Sequence, residues 1–215
     1  MTYRAVAFYE YGDPSVLRLI ELPEPHAGAG QVRVRMRAAG VQPFDCKLRR
    51  GDMREFMPIT SPHVPGNDFA GVVDEVGAGV TAFRAGEDLL GFTNGGAHAE
   101  VIVVDASAVV PRPSTLPWEV AGALSASGQT ALNALRDLGV TAGDTLLVHA
   151  AAGGVGTFAV QLARQWGATV IGSASPPNHS WLELPIHLAV PLERASEAHA
   201  AVETGHVRGK VVIIA

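Results

Sequence analysis

The sequence is poor in the residues that mark several familiar architectures. One cysteine, Cys46, stands among 215 residues, which excludes an internal disulfide and any thiolate zinc cluster. No run of lysine and arginine is longer than Arg49-Arg50, and the net charge is −5. A phosphate backbone calls for a clustered basic face, so nucleic acid is excluded as a partner. No apolar run approaches the roughly 20 residues that span a bilayer, and "MTYRAVAFYEYGDP" lacks the apolar core of a secretory signal. The expectation is a cytoplasmic chain with no membrane partner. Charged residues make up only 17% and hydrophobic ones 47%, enough to fill a substantial core.

What is present changes character along the chain. "YRAVAFYE" and "QVRVRMRA" alternate apolar with polar, as half-buried strands do. Glycines punctuate "PGNDFAGVVDEVGAGVTAF", and "AHAEVIVV" and "SAVVPRP" read as further short strands. Together they predict an irregular, barrel-like β domain. From Pro117 the chain turns helical: "PWEVAGALSASGQTALNALRDLG" is rich in alanine and leucine, with Gly139 placed to end a helix. "DTLLVHA" is a continuous apolar run, the mark of a strand covered on both faces. Val155, Phe158, Ala159, Leu162, Ala163 and Trp166 then share one helical face, and Gly167 follows. "ATVIGSAS" reads as a second buried strand, which completes a βαβ unit. Residues 191–204 form a last helix, with Pro191 at its start and Gly205 past its end. "GKVVIIA" closes as a strand.

The turn inside that βαβ unit carries the chemistry. A dinucleotide fingerprint places G-x-G-x-x-G between strand and helix. The aligned residues here are Ala151, Ala152, Gly153, Gly154, Val155 and Gly156. Ala151 stands where glycine is usual, so the turn must avoid positive φ there. Gly153 lets the backbone approach a pyrophosphate, and Gly156 lets the helix pack against the strand. The helix N-terminus offers free N–H groups and partial positive charge to the anion. Tight helix–sheet packing alone also selects small residues. About 20 residues on, NAD sites place an acid that holds the ribose 2′-OH. Here that region reads "GSASPPNHS", with no acid before Glu183. Ser173 and Ser175 accept a 2′-phosphate that a carboxylate would repel, which favours NADPH over NAD.

These residues resemble the medium-chain dehydrogenase/reductase superfamily, in its zinc-independent NADPH:quinone oxidoreductase (zeta-crystallin-like) branch. Gly143-Asp144, Leu147, Ala151-Ala152, Gly153-Gly154-Val155-Gly156, Gln161 and Arg164 stand at the branch's spacing. "AAGVQPFDCKLRRG" resembles its substrate-site segment. "PGNDFAGVVDEVGAGV" resembles its glycine-rich motif, with Asp68 for the usual glutamate, and "PLERASEAHAAVETGHVRGKVVI" resembles its C-terminal ending. The resemblance implies an α/β chain: a GroES-like β-barrel catalytic domain over 1–117 and 185–215, and a truncated Rossmann-type parallel βαβ cofactor domain over 118–184. It further implies hydride transfer from NADPH in the cleft between them.

By the same resemblance, Gln42, Asp45 and Asn67 surround the chemistry, and Thr130 lies at the nicotinamide end. Ordinary readings stand beside these: Asp45 caps the helix that begins after it, Thr130 bonds to its own helix backbone, and Cys46 is a structural neighbour. Zinc-dependent relatives carry cysteine at the place of Gln42, histidine at that of Asn67 and cysteine near Ser125. Amides and a hydroxyl do not replace thiolate and imidazole on Zn²⁺, so no metal is expected. The eight histidines form no close pair along the sequence and read as surface or core residues. Without a Lewis acid, the easiest hydride acceptors are already electrophilic: quinones and α,β-unsaturated carbonyls.

The chain is short for this reading. A doubly wound domain has about six strands; this one supplies about two. At ~30 residues per βαβ unit, roughly 90 are missing, with the junction between Trp181 and His187. Bare strand edges invite pairing with another copy, so a homo-oligomer is one expectation. Three readings follow: a longer protein of which this is part, an internal deletion completed by a partner copy, or a non-catalytic GroES-like module with a vestigial nucleotide-binding βαβ unit.

Overall fold

A computed structural model describes residues 1–175, 178, 186–207 and 210–215. These fall into two compact units. One comprises 1–125, 188–207 and 211–215; the other comprises 126–187 and 208–210.

The first unit is built on antiparallel strands. β1 (Thr2–Ala7) pairs with β2 (Arg18–Pro23). The larger sheet contains β3 (Gln31–Val41), β4 (Asp68–Val76), β5 (Asp88–Phe92), β6 (Val101–Asp105), β7 (Val109–Pro111), β10 (Ile186–Pro191) and β11 (Lys210–Ile214). Its order is β10-β11-β3-β4-β5-β7, with β6 on β3. This order is open among the described residues, where the sequence suggested a barrel. β3 holds the unit together. It pairs along its length with β4, through its first half with β6, and through its last residues with β11.

Glycine permits the closest strand approach. A Cβ on Gly71 would lie 2.3 Å from the Arg35 carbonyl oxygen, between the two places where the β3–β4 register shifts. One core packs Val32, Val34, Phe69, Val73, Leu89 and Val109. A second joins Phe8, Val41, Cys46, Val211 and Ile213 to Val190, Leu192, Ala195 and Ala198. The last two belong to α5 (Ala195–Glu203). Each fully buried large side chain contributes roughly 1.5–3 kcal/mol.

After β3 the chain enters α1 (Pro43–Arg50), with proline in its first turn and Gly51 ending it at φ 85°. β4 begins at Asp68, just after Asn67. The helical stretch after Pro117 is not one helix. α2 (Trp118–Ala121) stops at Gly122, where a Cβ would lie 2.6 Å from the Ala38 carbonyl oxygen, and α3 (Ser125–Asp137) follows.

The second unit contains α3 beyond Ser125, β8 (Thr145–Val148), α4 (Gly154–Gln165) and β9 (Thr169–Gly172). β8 and β9 pair in parallel, so strand, turn, helix and strand form the βαβ unit. Gly139, Gly167 and Gly205 take positive φ at helix ends. Ala159, Leu162, Ala163 and Trp166 pack with Leu135, Leu146, Ala168 and Val170. Val155, in the first turn of α4, is instead 40% exposed.

One expectation is overturned. β8 and β9 are not covered on both faces: Leu147 and Ile171 are each 55% exposed. α4 covers one face of the pair, and among the described residues no further helix of this unit covers the other. The expected junction from Trp181 to His187 lies largely outside the described residues. Among the described residues, no helix is long and apolar enough to cross a membrane.

Candidate functional site

In the second unit the site begins at the turn after β8. Ala151 avoids positive φ, as expected, but the left-handed position moves one residue back: Ala150 has φ 53°. The turn is pinned to the strand pair, since the Ala151 amide donates to Ser173 O at 2.9 Å and the Ser173 amide to Val148 O at 2.9 Å. Gly153 is the N-cap of α4 and offers no side-chain cap, so the first-turn amides of Gly154, Val155 and Gly156 are not capped from that position. Gly156 is demanded by contact: a Cβ there would lie 2.3 Å from Ala150 O. Ala152 and Gly153 complete the loop.

Two residues that the sequence reading missed stand at this loop. A Cβ on Gly154 would lie 3.3 Å from Ser127 Oγ and 3.4 Å from Lys210 Nζ. Lys210 Nζ donates to Ser127 Oγ at 2.6 Å, and both residues are buried. An ammonium against the positive end of a helix concentrates positive potential around the turn. The signal was the lone lysine opening the last apolar strand. The donor set and the glycine cradle fit a diphosphate.

The other expected cofactor residues are more modest. The Thr130 hydroxyl donates to Ala126 O at 2.7 Å within its own helix, the ordinary reading. Ser173 Oγ lies 3.0 Å from His149 Nδ1, and Ser175 Oγ accepts from Asn178 Nδ2 at 2.8 Å. No carboxylate stands among residues 173–175 or at 178. Ala151, Ala152, Gly172, Ala174 and Asn178 line part of a cavity of about 540 Å³, which also meets Arg164.

In the first unit, Gln42, Asp45 and Asn67 are all buried, and they belong to two segments tied together. Asp45 Oδ2 accepts the Gln42 amide at 2.7 Å, and Oδ1 accepts the Gly66 amide at 3.1 Å. Asp45 is thus a helix-start acid that clamps two backbones. Gln42 Nε2 donates to Asp68 Oδ2, and Asn67 Nδ2 donates to Thr93 O at 2.8 Å. Ser125 is buried, and its hydroxyl has no partner among the described residues.

Two histidines are core residues, as expected, but they form a close pair where the sequence suggested none. His98 and His199, remote in sequence, form a buried pair: His199 Nε2 lies 3.5 Å from His98 Nδ1. Cys46 Sγ lies 3.7 Å from His199 Nδ1, although no histidine is near it in sequence. Burial lowers His98 to about 4, despite the opposing hydrogen bond to Gly40 O. Burial also drives His199 well below the ordinary imidazole value, with His98 and Arg49 adding to the effect. Burial pushes the Cys46 thiol up to about 12, so it is not a nucleophile at neutral pH. Among the described residues, no group of three or more His, Cys, Asp and Glu is placed to hold a metal ion.

Comparison with known proteins agrees with this layout. Residues 28–114 match the alcohol dehydrogenase GroES-like domain. A quinone oxidoreductase of Rattus norvegicus is 36% identical over 176 residues, which are 80% of this chain and 52% of that protein. The chain therefore spans about half the length of the curated relatives it matches. The structure of the quinone oxidoreductase from Coxiella burnetii superposes with a TM-score of 0.88 at 25% identity, over 100% of both chains. That of the CurK enoyl reductase gives 0.76 at 28% identity, over 81% of this chain and 55% of the other. In its GroES-like strands and its Rossmann-type βαβ unit, the chain is similar to the medium-chain dehydrogenase/reductase superfamily, and within it to quinone oxidoreductase-like proteins.

Proposed function

We propose that this chain is an oxidoreductase that moves hydride from NADPH to a quinone or an α,β-unsaturated carbonyl, without zinc. One observation carries the reading: the uncapped start of α4 faces the buried Lys210 ammonium and Ser127 hydroxyl across Gly154. That arrangement suits two linked phosphates better than any neutral ligand. Ser173 and Ser175, with no acid beside them, favour the 2′-phosphate form of the nicotinamide cofactor. When bound, NADPH supplies the hydride.

The chain's own residues orient and bind. Gln42 and Asn67, whose amides are held by Asp68 and the Thr93 carbonyl, are the polar side chains assigned to the acceptor in this reading. Asp45 holds the backbone at Gln42 and at Gly66 rather than exchanging a proton, because both its oxygens already accept backbone amides. The three positions that carry zinc ligands in zinc-dependent relatives hold Gln42, Asn67 and Ser125, a donor set unsuited to Zn²⁺. An acceptor that is already electrophilic needs no such help. The proteins it resembles include both a quinone oxidoreductase and an enoyl reductase.

The test is a steady-state assay of NADPH oxidation with a small quinone and with an enal, beside a tryptophan-fluorescence titration with NADPH and NADH. Turnover with either acceptor, and tighter binding of NADPH, support the proposal. No turnover by folded protein with either acceptor overturns it. A second reading, a non-catalytic module, draws on the exposure of Leu147 and Ile171 beside a two-stranded sheet; binding without turnover would support it.

A further inference from the structure

Gln42 and Asn67 stand 25 residues apart in the sequence, and a buried histidine joins their two segments. His98 is fully buried. Its Nε2 lies 3.1 Å from Gly40 O, two residues before Gln42. Its amide donates to Pro65 O at 2.9 Å, and the Ala97 amide donates to Gly66 O at 3.2 Å. Its ring fills the space over Gly66, the residue before Asn67: a Cβ there would lie 2.5 Å from His98 Cδ2. Asp45 clamps the same two segments through their amides. The acid takes N–H groups; the histidine gives one to a carbonyl.

The ring's protonation follows from its partners. A carbonyl oxygen only accepts, so His98 Nε2 carries the proton. The neutral ring then accepts at Nδ1, and His199 Nε2 must donate across the 3.5 Å gap. His199 Nδ1 is left as an acceptor, facing Cys46 Sγ at 3.7 Å; His199 O, at 3.6 Å, is the other acceptor near that thiol. The rings meet edge to face, at 85°. The charged groups around Cys46 and His199 are Asp45, Arg49 and Arg50 of α1 and Glu203 of α5. Glu203 pairs with both arginines.

We propose that His98 is a positioning residue: held in a single tautomer by His199, it fixes the backbone before Gln42 and before Asn67, and so sets the placement of the two amides. Helix α5 thereby bears on the site through one ring nitrogen. The inference rests on reading Gln42 and Asn67 as site residues, but its first two measurements do not need activity.

Nitrogen-15 NMR of histidine-labelled protein at pH 7 reads the tautomers directly. Both rings neutral and protonated at Nε2 is the expected result; protonation at Nδ1 in either overturns the proposal, with no variant required. Next, the side-chain NH₂ signals of Gln42 and Asn67 are compared in H98F and H98Q. Phenylalanine keeps the ring over Gly66 and loses the donor; glutamine keeps a donor. A Gln42 signal that moves in H98F and returns in H98Q, with an Asn67 signal that moves in H98Q, where the ring over Gly66 is lost, supports the proposal; a Gln42 signal unmoved in H98F overturns it. Where NADPH turnover exists, H98F lowers kcat by about ten- to a hundred-fold, H98Q recovers most of it, and KM for NADPH stays within about two-fold. Equal loss in both variants overturns it. Absence of turnover with the expected tautomers and shifts defeats the functional reading alone.

Discussion

Lys210 Nζ donates to Ser127 Oγ at 2.6 Å beside the first residue of α4. If this ammonium meets a cofactor phosphate, Lys210→Gln removes a charge-assisted hydrogen bond of about 1.5–3 kcal/mol. NADPH affinity then falls by roughly ten- to a hundred-fold. The salt dependence of binding flattens as well, because one positive charge is gone. Fluorescence titrations at low and high sodium chloride measure both effects; unchanged affinity removes Lys210 from the site.

Ala150 occupies the left-handed region at φ 53°, which costs a residue with a Cβ about 1–2 kcal/mol. Ala150→Gly relieves that cost and adds backbone freedom to the unfolded chain, so a net gain of up to about 1 kcal/mol is expected. Gly156→Ala acts in the opposite sense, because its Cβ would lie 2.3 Å from Ala150 O. Urea unfolding followed by far-UV circular dichroism separates the two, with destabilisation and lost NADPH binding expected only in the second.

These residues also show what was legible. The turn, its helix and most strands follow local rules of spacing, capping and alternation, so residues 146–172 could be read directly. Contacts remote in sequence left no such trace. His98 and His199 stand 101 residues apart, and Ser127 and Lys210 stand 83 apart. Nothing in either local pattern announces the partner. The apolar run at β8 misled for a different reason. It has the sequence of a strand buried on both faces, but among the described residues the second unit supplies helix cover for only one of them.

Asp45 separates positioning from chemistry. Both its oxygens accept backbone amides in a buried setting. Asp45→Ala leaves the Gln42 and Gly66 amides without that acceptor, at a cost of about 2–4 kcal/mol. Thermal unfolding should show the loss. A catalytic carboxylate would instead show a collapsed kcat with little change in stability.

Leu147 and Ile171 lie on the uncovered face of the β8–β9 pair, each 55% exposed. Such a face, beside strand edges unpaired among the described residues, favours association. Sedimentation velocity over rising concentration should show the chain self-associating. Leu147→Lys with Ile171→Lys should suppress this at a stability cost within about 0.5 kcal/mol for each change. A wild-type chain that stays monomeric throughout contradicts the prediction.

The buried histidines give the pH response its sign. His98 titrates at about 4 in the folded protein against 6.5 unfolded, and His199 and His63 are lowered as well, chiefly by burial. Between those values the unfolded chain binds protons that the folded chain refuses. Stability is therefore unaffected by these groups above pH 6.5 and falls as pH drops toward 4. The slope approaches about 1.4 kcal/mol per pH unit for each histidine fully excluded from protonation. Glu100, held below the usual carboxylate range chiefly by its hydrogen bond from Arg4, loses its contribution only at lower pH, so the histidine window stands apart. Urea midpoints measured from pH 7.5 to 4.5 should decline through this window, and more shallowly in H98Q, which has one fewer group to protonate. A flat profile would mean that the two rings are not held neutral inside the fold.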